Sequence, residues 1–117
     1  MPNPNIVNTT SILSKTNVLT LSTTTQAILS SAISSGQVMK VNALYISNID
    51  SSVNYAVDVD FLRYNVPYYI ARSVTVPSKS TLDVLSKPIY LQEGDSLRLT
   101  SSAVSGLHAV CSYEQIS

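Results

Sequence analysis

The chain has 117 residues, seven Lys and Arg against seven Asp and Glu, and a formal net charge of zero at pH 7. That length holds one domain with a core of its own and leaves no room for a second, and the balanced charge, with no block of one sign, excludes electrostatic capture of nucleic acid or of an acidic membrane surface. Charged residues make up only 12%, against about 25% in ordinary globular chains, so the surface is largely uncharged and is predicted to be covered in part by partner subunits.

Residues 1–15, with Pro2, Pro4 and scattered Asn, Ser and Thr, have no stable period and read as an extended N-terminal arm before a domain spanning 16–117. Ile6, Val7, Ile12 and Leu13 are too apolar for a simple solvated tail. Packing along a neighbouring subunit and a frayed terminus are the two readings of the arm. No cationic start precedes an apolar core and no window approaches eighteen apolar residues, so neither a secretory signal nor a membrane span is predicted, and synthesis in a cytoplasm is expected.

Short strands follow. Residues 17–21 carry Val18, Leu19 and Leu21; residues 26–33 are compatible with a turn of helix but are flanked by Thr and Ser, which favours strand. Ser34-Ser35-Gly36 is a turn, and 37–48 becomes apolar on both faces, the mark of a central strand. A polar connection at 48–52 leads into 53–61, Val-Asn-Tyr-Ala-Val-Asp-Val-Asp-Phe, where every odd position is β-branched or aromatic. Such alternation gives a strand with its odd face in the core and its even face outward. A turn is expected at Asn65-Val66-Pro67, then strands over 68–76, 81–85, 89–91, 96–100 and 107–116, separated by Pro77-Ser78, Lys87-Pro88, Glu93-Gly94-Asp95 and Ser105-Gly106. About eight short strands with regular turns and no convincing helix predict an all-β antiparallel β-sandwich, jelly-roll or immunoglobulin-like.

Chemistry is sparse. Asp58 and Asp60 lie two apart on one strand, about 7 Å between like-facing positions, a spacing at which carboxylates can share a cation, yet no ligand-rich loop accompanies them and they read as a polar outer face. His108 is the only histidine and Cys111 the only cysteine, three residues apart and on opposite faces of a strand, so a dyad is disfavoured. Cys111 can form no intrachain disulfide and reads as a buried, inert thiol. With three glycines there is no phosphate-cradling loop, and no Ser stands in a nucleophile-elbow context. No enzyme activity, metal or cofactor is predicted. Tyr64, Tyr68 and Tyr69 gather around Pro67 with Arg63 and Arg72 beside them. They suit three roles: sealing the end of a sandwich, a subunit contact, or a stacking site for sugars.

From Val41 to Ile116 the chain resembles small β-sandwich virion proteins of tailed bacteriophages, including cyanophages. The resemblance is carried by Leu44-Tyr45-Ile46-Ser47-Asn48, Tyr68-Tyr69-Ile70-Ala71, Ser80-Thr81-Leu82, Lys87-Pro88-Ile89-Tyr90-Leu91 with Glu93-Gly94-Asp95-Ser96-Leu97, and Cys111-Ser112-Tyr113-Glu114. It implies a non-enzymatic subunit located in the virion and assembled in the host cytoplasm. The expected role is a capsid decoration or cement protein, homo-oligomeric with a trimer favoured, whose partner is the major capsid protein or another virion protein. A neck, tail or baseplate component is the alternative within that class. A carbohydrate-binding module for host recognition is the alternative outside it.

Overall fold

The computed structural model describes residues 11–30 and 36–117. Among them are nine strands: β1 (Ile12–Thr20), β2 (Gln26–Ser30), β3 (Val38–Asn48), β4 (Tyr55–Arg63), β5 (Val66–Val76), β6 (Thr81–Asp83), β7 (Ile89–Leu91), β8 (Ser96–Ser101) and β9 (Leu107–Ile116). One sheet runs β1-β9-β3-β6, with β7 also on β3, and the other runs β2-β8-β4-β5. Every pairing is antiparallel.

β6 pairs with Tyr45–Ser47 and β7 with Met39–Val41, so together they form one edge strand interrupted at Ser86-Lys87-Pro88. Proline has no N–H for a ladder, which is why the break falls there. With β6 and β7 counted as one, consecutive strands alternate between the layers except at the β4–β5 hairpin. That order, two interlocked Greek keys, is a jelly roll, and it resolves the choice between jelly-roll and immunoglobulin-like sandwiches.

The core lies between the sheets. Val41, Leu44 and Ile46 of β3 and Leu107, Ala109 and Cys111 of β9 meet Val57 and Val59 of β4 and Leu97 and Leu99 of β8, all essentially inaccessible to water. Each fully buried Val or Leu contributes about 1.5–3 kcal/mol. Strand β3 departs from strict alternation because its register with β9 shifts between Val41 and Ala43. The extra residue turns both Val41 and Leu44 inward, and Tyr45 then faces out. A similar shift in β2 buries the adjacent Ile28 and Leu29.

Three expectations are corrected. β1 begins at Ile12, so residues 12–15, assigned to the arm, are paired with β9 from Ile12↔Ile116 to Lys15↔Tyr113. A strand of mixed Ser, Lys and Thr is held there by a complete backbone ladder, which composition does not reveal. The strand placed at 53–61 runs instead over Tyr55–Arg63, and Val53 is exposed. The Asp50 carboxylate accepts from the Ser52 and Val53 N–H groups and fixes that segment as a loop. Finally, the turn falls at Tyr64-Asn65, leaving Val66 and Pro67 inside β5. Pro67 is tolerated because β5 is an edge strand.

Candidate interaction surface

Arg63 and Val66 are paired, so β4 and β5 are joined by the two residues Tyr64 and Asn65. Both have positive φ, +53° and +60°, the arrangement of the type I′ turn that matches the twist of a hairpin. Asn suits that conformation; a bulky aromatic does not, and Tyr64 costs on the order of 1–3 kcal/mol there. Its side chain is 91% exposed, at the mouth of the depression described below.

The hairpin is braced from the neighbouring turn. Arg63 Nε and Nη2 donate to Asp95 Oδ1 and Oδ2 at 2.9 and 2.6 Å. Asp95 also accepts from the Gln92 N–H at 2.8 Å, and its own N–H donates to the Gln92 carbonyl at 3.1 Å. Gly94, at φ +81°, closes this turn in a conformation few other residues adopt. The hydrogen bonds to Asp95 push the Arg63 guanidinium above its ordinary pKa, and its head lies 5.1 Å from the Phe61 ring centroid. The Gly36 N–H donates to Glu93 at 2.8 Å, tying the start of β3 to the same turn. A depression of about 260 Å³ lies among Arg63, Tyr64, Asn65, Gln92 and Glu93.

The predicted tyrosine cluster is divided by the strand. Tyr68 pairs with Phe61 and Tyr69 with Asp60, so the two rings point to opposite faces of the sheet. Arg72 lies over Tyr69, 4.2 Å from its centroid. Two extra residues on β5 relative to β4, one at Ile70 and one at Arg72-Ser73, bulge the strand; Ser73 has φ +52° and donates its N–H to Asp58. Bulges of this kind twist an exposed edge away from unwanted pairing.

Asp58 and Asp60 therefore have separate duties. Both share the face of Thr100 and Arg98, away from the core, as alternation predicts. The expectation of a solvated outer face fails at Asp60, which is 3% exposed and accepts from Arg98 Nε and Nη2 at 2.8 and 3.2 Å. No group of three His, Cys, Asp or Glu residues able to hold a metal occurs among the described residues. His108 is exposed and Cys111 buried, on opposite faces of β9. Burial pushes the Cys111 thiol up to about 12, the reverse of what a nucleophile needs.

Ile12 and Leu13 are exposed at the start of β1. They share one end of the sandwich with the hairpin, since Ile12 pairs with Ile116, Ile116 with Val38, and neighbouring Gly36 reaches the turn that holds Arg63. They lie on the opposite flank, however: β1 sits over β2, where Asn17 Nδ2 donates to the Ile28 carbonyl, and β5 is the far edge. The site residues thus form two patches at one end. Ile6 and Val7 lie outside the described residues.

The sequence reading missed a groove. Val18, Thr20, His108 and Val110 line an open depression of about 420 Å³ on the outer face of β1 and β9. Val18 stands opposite Val110, and Val110 opposite Tyr45, so an apolar row crosses three strands. Val110 lies in an apolar run that reads as core; only its even position, beside inward Ala109 and Cys111, marks it as outward.

No family model and no curated relative matches the sequence. Among solved structures, the chain is similar to one described in work on Bacillus endospore appendages as a novel family of disulfide-linked pili. Identity is 12%, the TM-score 0.51, and the match covers 98% of this chain and 95% of the other. The shared feature is the fold. A second similarity, at 9% identity and a TM-score of 0.42, is to the infectious bursal disease virus VP2 subviral particle, covering 91% of this chain and 32% of that one.

Proposed function

We propose that the protein is a non-enzymatic structural subunit of a tailed-bacteriophage virion, a decoration or cement protein seated on the lattice of the major capsid protein. The observation that carries this reading is the presentation of apolar side chains, Ile12 and Leu13 on one flank and Val66, Tyr68 and Tyr64 on the other, at one end of a rigid, sparsely charged sandwich. A free monomer gains nothing from such exposure; a subunit with neighbours does. The fold it shares with a pilus protein supports assembly as the role. The segment before β1, with Ile6 and Val7, supplies further attachment, and a trimer is the favoured oligomer. Each weak contact raises the effective concentration of the next, so the array holds the lattice together without any single strong bond. The placement of Tyr68 and Tyr69 on opposite faces supports a subunit contact over a sugar-stacking site built on that pair.

Mass spectrometry of purified virions tests this reading. A cement protein is present in hundreds of copies, and heads lacking it release DNA at a lower temperature. A count of a few multiples of three or six per particle would assign it to the neck, tail or baseplate instead. Deleting residues 2–10, which leaves β1 whole, is expected to weaken particle binding; unchanged binding would discard the arm.

A further inference from the structure

We propose that the depression beside the β4–β5 hairpin binds one neutral sugar ring of a glycan, with the ring's apolar face against Tyr64 and its hydroxyls on the side chains around it. The inference goes beyond the structural role by giving the subunit a ligand, and it leaves Ile12, Leu13, Val66 and Tyr68 for contacts with the lattice. Four observations lead to it.

First, the lining combines the groups that a sugar needs: an aromatic ring, Tyr64, beside the primary amides of Asn65 and Gln92 and the Arg63 guanidinium. A pyranose has a face of C–H groups that stacks on an aromatic ring and a rim of hydroxyls that both donate and accept. An amide matches that rim because it carries a donor and an acceptor on one planar group. Neither amide side chain has a hydrogen-bond partner among the described residues, and both residues are exposed. Second, the walls are fixed in advance. Arg63 on the hairpin grips Asp95 on the neighbouring turn, and Asp95 in turn holds the Gln92 N–H, so little freedom is lost when a ligand arrives. That fork uses Nε and Nη2 of a group with five N–H donors, which leaves donors for a hydroxyl. Third, Tyr64 is kept at φ +53°, with its ring 91% exposed at the mouth of the depression; backbone strain of this kind clusters at ligand sites. Fourth, size and charge narrow the ligand. A volume of about 260 Å³ lies below the roughly 300–1,000 Å³ of sites for drug-sized molecules and suits a single ring. One guanidinium against two carboxylates makes the lining net negative, which disfavours an acidic sugar. Both carboxylates are engaged by the fold, Asp95 with Arg63 and Glu93 with the Gly36 N–H, which disfavours an ammonium ligand.

Heteronuclear NMR of the backbone amides of the full chain tests the site. The probes are the methyl glycosides of glucose, galactose, mannose and N-acetylglucosamine, with glucuronic acid and lysine amide as charged controls. At least one neutral glycoside is expected to move the signals of residues 63–65 and 92–95, with a Kd on the order of 1 mM for a single ring, while the charged controls move none. Tyr64→Asn removes the ring and places a residue suited to the turn. It is expected to keep or raise the melting temperature and to weaken binding by at least ~10-fold, a combination that a merely structural role would not give. Asn65→Gly keeps the turn, removes one amide and is expected to weaken binding by roughly 3- to 10-fold. Tyr64→Phe keeps the stacking face and is expected to bind within about 3-fold of the natural chain. The site is overturned by any of four results: no shift of these signals with a neutral glycoside at up to about 50 mM, shifts confined to another part of the chain, binding of a charged control alone, or undiminished binding by Tyr64→Asn. A chain that binds virions but none of these sugars overturns this inference and leaves the proposed function standing; one that binds a sugar through Tyr64 but binds no particle does the reverse.

Discussion

Replacing Arg63 by Met isolates the charge that braces the hairpin, because the new side chain keeps an unbranched stem beside Phe61. The Asp95 side chain is 3% exposed and that of Arg63 35%. A fully buried pair that loses one member costs about 3–5 kcal/mol, since the other charge is left without water or partner, whereas an exposed pair is worth about 0–1 kcal/mol. Here the group left behind is the buried one, which points to the first range. Water reaches the cavity vacated by a partly exposed Arg, and Asp95 keeps its bond from the Gln92 N–H, which together lower the figure to about 2–3 kcal/mol. For a domain of this size that is a fall in melting temperature of roughly 10 °C. Thermal and urea denaturation followed by circular dichroism measure it, and Arg63→Lys, which keeps the charge but not the two-pronged geometry, is expected to fall between the two. A loss below about 1 kcal/mol would show that the pair behaves as an ordinary surface contact and that the hairpin is not held from the β7–β8 turn.

Gly106→Ala is expected to destabilise the fold by about 1–3 kcal/mol, because an added Cβ would lie 2.6 and 2.7 Å from the Cζ and Cδ2 atoms of Tyr55, whose hydroxyl is bound to Asp50; an unchanged melting temperature would mean that the ring moves freely. The Asp50 carboxyl is held below its ordinary 3.8 by the Ser52 N–H first and then by the Tyr55 hydroxyl and the Val53 N–H. A native pKa below the unfolded one gives stability that is present above 3.8 and lost as the pH falls through the native value. Melting curves from about pH 5 down to about pH 2.5 are therefore expected to fall less steeply for Asp50→Asn than for the natural chain, and identical slopes would remove Asp50 from the account. Cys111, with its thiol pushed up to about 12, is ionised in only on the order of one molecule in 10⁴ at about pH 8. A thiol-specific disulfide reagent is expected to react at least ~100-fold faster in guanidinium than with the native protein, and comparable rates would show an accessible thiol.

The central strands of this protein were legible in its sequence because each buries one face. Val57 and Val59, Leu97 and Leu99, and Leu107, Ala109 and Cys111 alternate as a half-buried strand must, and Gly and Pro mark the turns between them. Arg63, Tyr64, Tyr68 and Tyr69 were legible as a surface feature for a similar reason: a dense aromatic run beside a proline has no place in an alternating pattern. The sequence could not show how the strands pair. The early start of β1 depends on a ladder with β9, a hundred residues away, and the burial of Asp60 depends on Arg98 arriving from β8. Periodicity is a local property, so it determined that this chain forms an all-β sandwich with an inert cysteine in its core. Pairing is non-local, and only the tertiary structure decided that the sandwich is a jelly roll, that the tyrosines part to opposite faces, that Tyr64 stands strained on a braced tip, and that Val18 and Val110 meet to form a groove.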